Sequence, residues 1–116
     1  MASSGSFRLH LDALRLTPMA SGHLALNITE RVGWEEFPEY AHHLLEVLDG
    51  RAMDVADSVD MRLWSVIVDD HSLRLVYEDY PAMVSLESCD AGGDVALHRI
   101  ERTLRDLRPP PESAES

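Results

Sequence analysis

Apolar and polar positions alternate from the start of the chain. Phe7, Leu9 and Leu11 are separated by polar residues, the period of a strand with one buried face, and Leu14 and Leu16 continue it in the opposite phase. A bulge near Asp12-Ala13 reconciles the two phases. The stretch Thr17-Pro18-Met19-Ala20-Ser21-Gly22 has turn chemistry, and Leu24, Leu26 and Ile28 then alternate again. Residues 6–29 therefore read as an antiparallel hairpin.

The period then lengthens to that of a helix. Phe37, Tyr40, Ala41, Leu44, Leu45 and Leu48 form one apolar stripe at i, i+3, i+4, i+7, i+8 and i+11. Pro38 belongs in a first turn, where its missing N–H costs little, and Gly50 is placed to supply the left-handed residue that ends the helix. Residues 51–60, RAMDVADSVD, read as a polar connection with room for a short strand around residues 52–55. Residues 61–68, MRLWSVIV, are nearly continuously apolar, as in a central strand. Asp69-Asp70-His71-Ser72 turns the chain, residues 73–77 return, residues 78–81 turn again, and residues 83–87 form a further strand. After the loop Cys89-Asp90-Ala91-Gly92-Gly93, Asp94 is a candidate N-cap for a helix with Leu97, Ile100, Leu104 and Leu107 as its seam. Arg99, Arg102, Arg105 and Arg108 favour its C-terminal end. Pro109-Pro110-Pro111 stops it.

The expected order is β-β-α-β-β-β-α: an α+β domain of about five antiparallel strands with both helices on one face. The 116 residues make one domain, at residues 6–108, between a disordered N-terminus (1–5) and a disordered Pro/Glu/Ser tail (109–116). No apolar run approaches a membrane span, and MASSGS lacks the apolar core of a signal peptide. With one cysteine, Cys89, no intramolecular disulfide forms. A cytoplasmic location is the expectation.

Charge alters this plain picture. The formal net charge is −11, and all ten bases are arginine. Residues 30–60 hold nine acids against Arg31 and Arg51, nine minus two giving a net −7. Such a field repels phosphate backbones, so nucleic acid is not an expected partner; a cationic protein surface is. Trp34, Trp64, Tyr77 and Tyr80 are expected to cluster where the first helix meets the sheet, and aromatic residues of this kind anchor interfaces.

The stretch WEEFPEYAHH, residues 34–43, is the densest in candidate chemistry. Glu39 and His42 have Glu-x-x-His spacing, and Glu39, His42 and His43 are the candidate ligands of a metal site. Zinc, however, needs three or four ligands, and nothing in the sequence places a fourth. Acids near a helix start are stabilised by the dipole without any ligand. Cys89 as a nucleophile would need a base, with His71 and His98 as candidates, and the adjacent Asp90 disfavours its thiolate. Gly92-Gly93-Asp94 is a poor phosphate cradle because the aspartate occupies the anion's place. No catalytic residue and no cofactor are expected.

Trp34-x-x-Phe37-Pro38 opening a helix, Leu63-Trp64 on a strand, LRLVYEDY at 73–80 and VSLES at 84–88 together resemble a family of small uncharacterised proteobacterial proteins, a domain of unknown function. The resemblance covers residues 30–107. It implies a bacterial, cytosolic, single α+β domain, with no established activity or catalytic residues. The functional expectation is a non-enzymatic domain, monomeric or homodimeric, that binds a cationic protein partner in the manner of an immunity protein or secretion chaperone. Its binding residues would be Trp34, Glu35, Glu36, Glu39, His42, Glu46 and Tyr80. The alternatives are a metal-dependent role at Glu39, His42 and His43, or a structural homodimer paired through a sheet edge.

Overall fold

A computed structural model describes residues 9–79 and 82–107. The strands are β1 (Arg15–Pro18), β2 (Leu24–Thr29), β3 (Arg51–Asp57), β4 (Met61–Val68), β5 (His71–Asp79) and β6 (Ala82–Ser88). The helices are α1 (Phe37–Leu48), between β2 and β3, and α2 (Ala91–Leu107), after β6. The strands form one sheet in the order β1-β2-β6-β5-β4-β3, every neighbouring pair antiparallel.

The register puts the apolar alternation of each strand on one face. Trp64 pairs with Leu75, Leu75 with Leu86, and Leu86 with Leu26, so a buried row crosses four strands. Both helices close over that face. α1 contributes Phe37, Tyr40, Ala41, Leu44 and Leu45, and α2 contributes Ala96, Leu97, Ile100 and Leu104. Phe37 joins the layers, its ring lying 5.4 Å from Trp64 and 5.5 Å from Tyr77. The other face of the sheet alternates the half-buried Leu63, Ser65 and Ile67 with the exposed Arg74 and Glu78 on the next strand.

Six strands replace the expected five. β3 is a full strand of seven residues, every one of them exposed. An edge strand with no buried position leaves no period to read, which is why residues 51–60 look like a connection. The first strand is shorter than expected and begins at Arg15. Leu9 and Leu11 lie in an irregular segment that turns at Asp12-Ala13, although Leu11 and Leu14 still enter the core. Ala13 N–H donates to Ile28 O at 2.9 Å, and Tyr40 Oη donates to His10 O at 2.5 Å, so this segment is tied to the sheet and to α1. Phe7, the two expected terminal tails and Tyr80 lie outside the described residues.

Three local readings are corrected. The left-handed residue ending α1 is Asp49 (φ 57°), not Gly50. Gly50 N–H donates to Leu45 O (2.8 Å) and Asp49 N–H to Glu46 O (3.2 Å), the paired bonds of a Schellman end. Gly50 is required for space instead: a Cβ there would stand 2.7 Å from Val68 Cγ2 and 2.8 Å from Ile67 O. At the second helix, Asp90 and not Asp94 does the capping, its Oδ1 accepting from Gly93 N–H at 2.7 Å. Leu107, expected in the seam, is 51% exposed.

The β4–β5 connection is a two-residue turn in which Asp69 and Asp70 both take positive φ, 58° and 65°. These are the angles of the type I′ hairpin turn, which glycine adopts without steric penalty at its second position. Asp70→Gly should therefore raise stability, by about 0.5–1 kcal/mol, seen as a higher melting temperature with unchanged circular dichroism. Phe37→Ala should lower stability by about 3–5 kcal/mol in chemical denaturation, since the ring would leave a cavity between three elements.

Candidate functional site

The sequence places its acids at the entrance of α1, and the fold shows which of them are committed. Glu36 Oε1 accepts Gly33 N–H at 2.8 Å, so this carboxylate reaches back to hold the turn that starts the helix. Trp34 precedes it, with the Arg62 guanidinium stacked 4.1 Å above its ring. Arg62 Nε donates to Trp34 O at 3.2 Å and Nη1 to Asp57 Oδ2 at 2.7 Å. One arginine thus clamps the chain before α1 to the edge strand β3, and the cation–π contact adds roughly 0.5–1 kcal/mol. The Trp34 ring meets the edge of Tyr77 at 6.1 Å. Tyr77 Oη donates to Asp79 Oδ1 at 2.9 Å; burial first, then that carboxylate, pushes the phenol up to about 12. Tyr77 stays neutral at physiological pH. Of the expected cluster of Trp34, Trp64, Tyr77 and Tyr80, the first three meet around Phe37, and Tyr80 lies outside the described residues.

Glu35, Glu39, His42 and Glu46 are exposed. β3, which follows α1, exposes Asp54 on the open face of the sheet and Asp57 on the helical side, where Arg62 engages it. His42 does not stand clear of the core, since its ring meets Trp64 edge-on at 5.3 Å. Among the described residues, no group of three or more His, Cys, Asp or Glu side chains is arranged to hold a metal, the set Glu39, His42 and His43 included.

Trp64 carries an unresolved polar group at this surface. It is 5% exposed, yet its Nε1–H has no acceptor among the described residues. An unsatisfied buried donor costs on the order of 1–3 kcal/mol. Its cross-strand neighbour on β3 is Val55, which is half-exposed, so the helical layer stops short of the edge here.

Cys89 is exposed, and the histidine nearest its groove is neither His71 nor His98. A shallow groove of about 360 Å³ is lined by Cys89, His23, Ser88, Arg74 and Glu87. His23 Nδ1 lies 3.0 Å from Asp94 Oδ2, and Leu24 N–H donates to Asp94 Oδ1 at 3.0 Å. Asp94 therefore ties the first turn of α2 to the β1–β2 hairpin. A larger groove, about 630 Å³, lies between the end of α1, the Asp69-Asp70 turn and α2, where Arg99 pairs with Asp69. Sequence reading missed Arg62, His23 and the structural use of Asp94. Their partners stand 28, 71 and 70 residues away, and no local spacing marks them.

The His23 ring, the Leu24 amide and Ser88 all favour the Asp94 carboxylate and hold it at about 2, below its ordinary 3.8. A carboxylate lowered by folding adds stability that is complete above pH 4 and is lost as pH falls through its folded value. Asp94→Asn should consequently be less stable than the parent at pH 6, with the difference shrinking between pH 4 and pH 2. Urea unfolding at each pH measures it.

No curated protein and no solved structure matches the chain. No helix among the described residues is long and apolar enough to cross a membrane. A family model, described as a protein of unknown function (DUF3630), matches residues 14–104, from just before β1 to the last turns of α2. The β1–β2 hairpin is therefore part of the shared domain, although the sequence resemblance starts only at residue 30. The chain belongs to this DUF3630 family of proteins of unknown function.

Proposed function

We propose that this domain is a non-enzymatic interaction module whose α1–β3 surface binds a cationic protein partner. The observation that carries the reading is the exposure of Glu35, Glu39 and Glu46 at the entrance of α1 and along it, with the exposed edge strand β3 following. Arg62, on the neighbouring strand, is already engaged by Asp57 and the Trp34 ring. A surface of one sign steers an oppositely charged partner and accelerates its encounter. Trp34 and His42 add ring edges within that field.

Glu36 is the wrong residue to reverse, because its carboxylate holds Gly33 N–H and a change there would damage the helix start. The triple variant Glu35→Arg, Glu39→Arg, Glu46→Arg should weaken binding of a fluorescent oligo-arginine peptide by at least about tenfold at low salt. An equal charge change elsewhere, Glu78→Arg, Glu87→Arg, Asp106→Arg, should weaken it far less. Equal losses in the two variants, read by fluorescence anisotropy, would reduce the effect to net charge and reject the surface.

A further inference from the structure

We propose that β3 is the docking edge of this surface and receives an extended cationic segment of the partner as a seventh strand. The proposal rests on the cationic-partner reading and specifies how that partner is held. β3 is the last strand in the sheet order, so one side of its backbone presents N–H and C=O groups that no described strand pairs. Such a row is a template for strand addition unless something blunts it. The opposite edge is blunted: β1 has four residues and ends in Pro18. β3 has seven and no proline.

The side chains agree with the backbone. Register irregularity between Ala52 and Asp54 bends the strand at Met53, leaving residues 54–57 as the straight run. In that run Asp54 lies with Ser65 on the open face, and Val55 lies with Trp64 on the helical face. Met53 (57% exposed) and Val55 (50% exposed) are large apolar side chains without cover. The buried Nε1–H of Trp64, the cross-strand neighbour of Val55, has no acceptor among the described residues. The segment that fits alternates a basic residue against Asp54 with an apolar residue over Val55.

Charge selects this occupant over a second copy of the chain. Pairing β3 with itself through Asp54 would set that acid against its own copy, between two molecules of net charge −11. Like charges directly opposite in a sheet are repulsive.

The probe is a capped eight-residue peptide alternating arginine and valine, compared with the same peptide methylated at every backbone nitrogen, which keeps the charge but cannot donate to a strand. The unmodified peptide should slow amide hydrogen exchange within residues 54–57 at least tenfold and shift the Trp64 indole N–H resonance. Backbone methylation, and separately Asp54→Arg, should each weaken binding about tenfold, a conversion of roughly 1.4 kcal/mol. Equal binding of the methylated peptide would overturn strand addition and leave the acidic surface standing. Binding of neither peptide would overturn it too, with the oligo-arginine comparison judging the surface by itself. Protection of the same amides without peptide, rising with protein concentration or abolished by removing residues 1–8, would assign the edge to a second copy or to the chain's own N-terminus and likewise overturn the proposal.

Discussion

The structure depends on burying one face of a six-stranded sheet, and Phe37 is where that burial is joined. Its ring meets Trp64 on β4 and Tyr77 on β5, while the stripe it begins carries α1 along the sheet. Aromatic pairs in such inclined geometries gain beyond the area they bury. Pro38 starts the helix beside it, and Glu36 secures the turn before it. From this corner the helical layer extends across α1 and α2, which together cover the apolar row from Trp64 to Leu26.

The same geometry determines where cover ends. α1 lies over β4 and β5, and α2 lies against β6, β2, β5 and β1. β3 falls outside both, so its Val55 is half in solvent and the indole nitrogen of Trp64 lacks an acceptor among the described residues. A sheet one strand wider than its helical layer has an edge that is both hydrogen-bonding and apolar. The acids on that edge protect it against self-association, a common use of edge charge, and by the same sign favour a cationic segment.

Three arginines join elements. Arg62 links Trp34 to β3, Arg99 meets Asp69 at the β4–β5 turn, and Arg105 donates to Leu14 O from α2. Arg62 thereby answers Asp57, while Glu35, Glu39 and Glu46 are exposed to solvent. The net −7 of residues 30–60 falls on α1, β3 and the segments that flank them.

What the sequence determined by itself was set by short-range periods. The stripe of α1, the alternation in β2 and the apolar runs of β4 to β6 each follow from a repeat of two or 3.6 residues, so the α+β class and the one-sided core were legible. Periodicity says nothing about a strand whose every side chain is exposed, and β3 was therefore readable only as a connection with room for a short strand. Nor does spacing reveal partners brought together across the sheet: Arg62 over Trp34, or Asp94 holding His23 and Leu24. The acidity of residues 30–60 was plain from composition. Only the tertiary structure decided that the exposed Glu36 carboxylate is committed to the helix start, because that depends on where the Gly33 amide points.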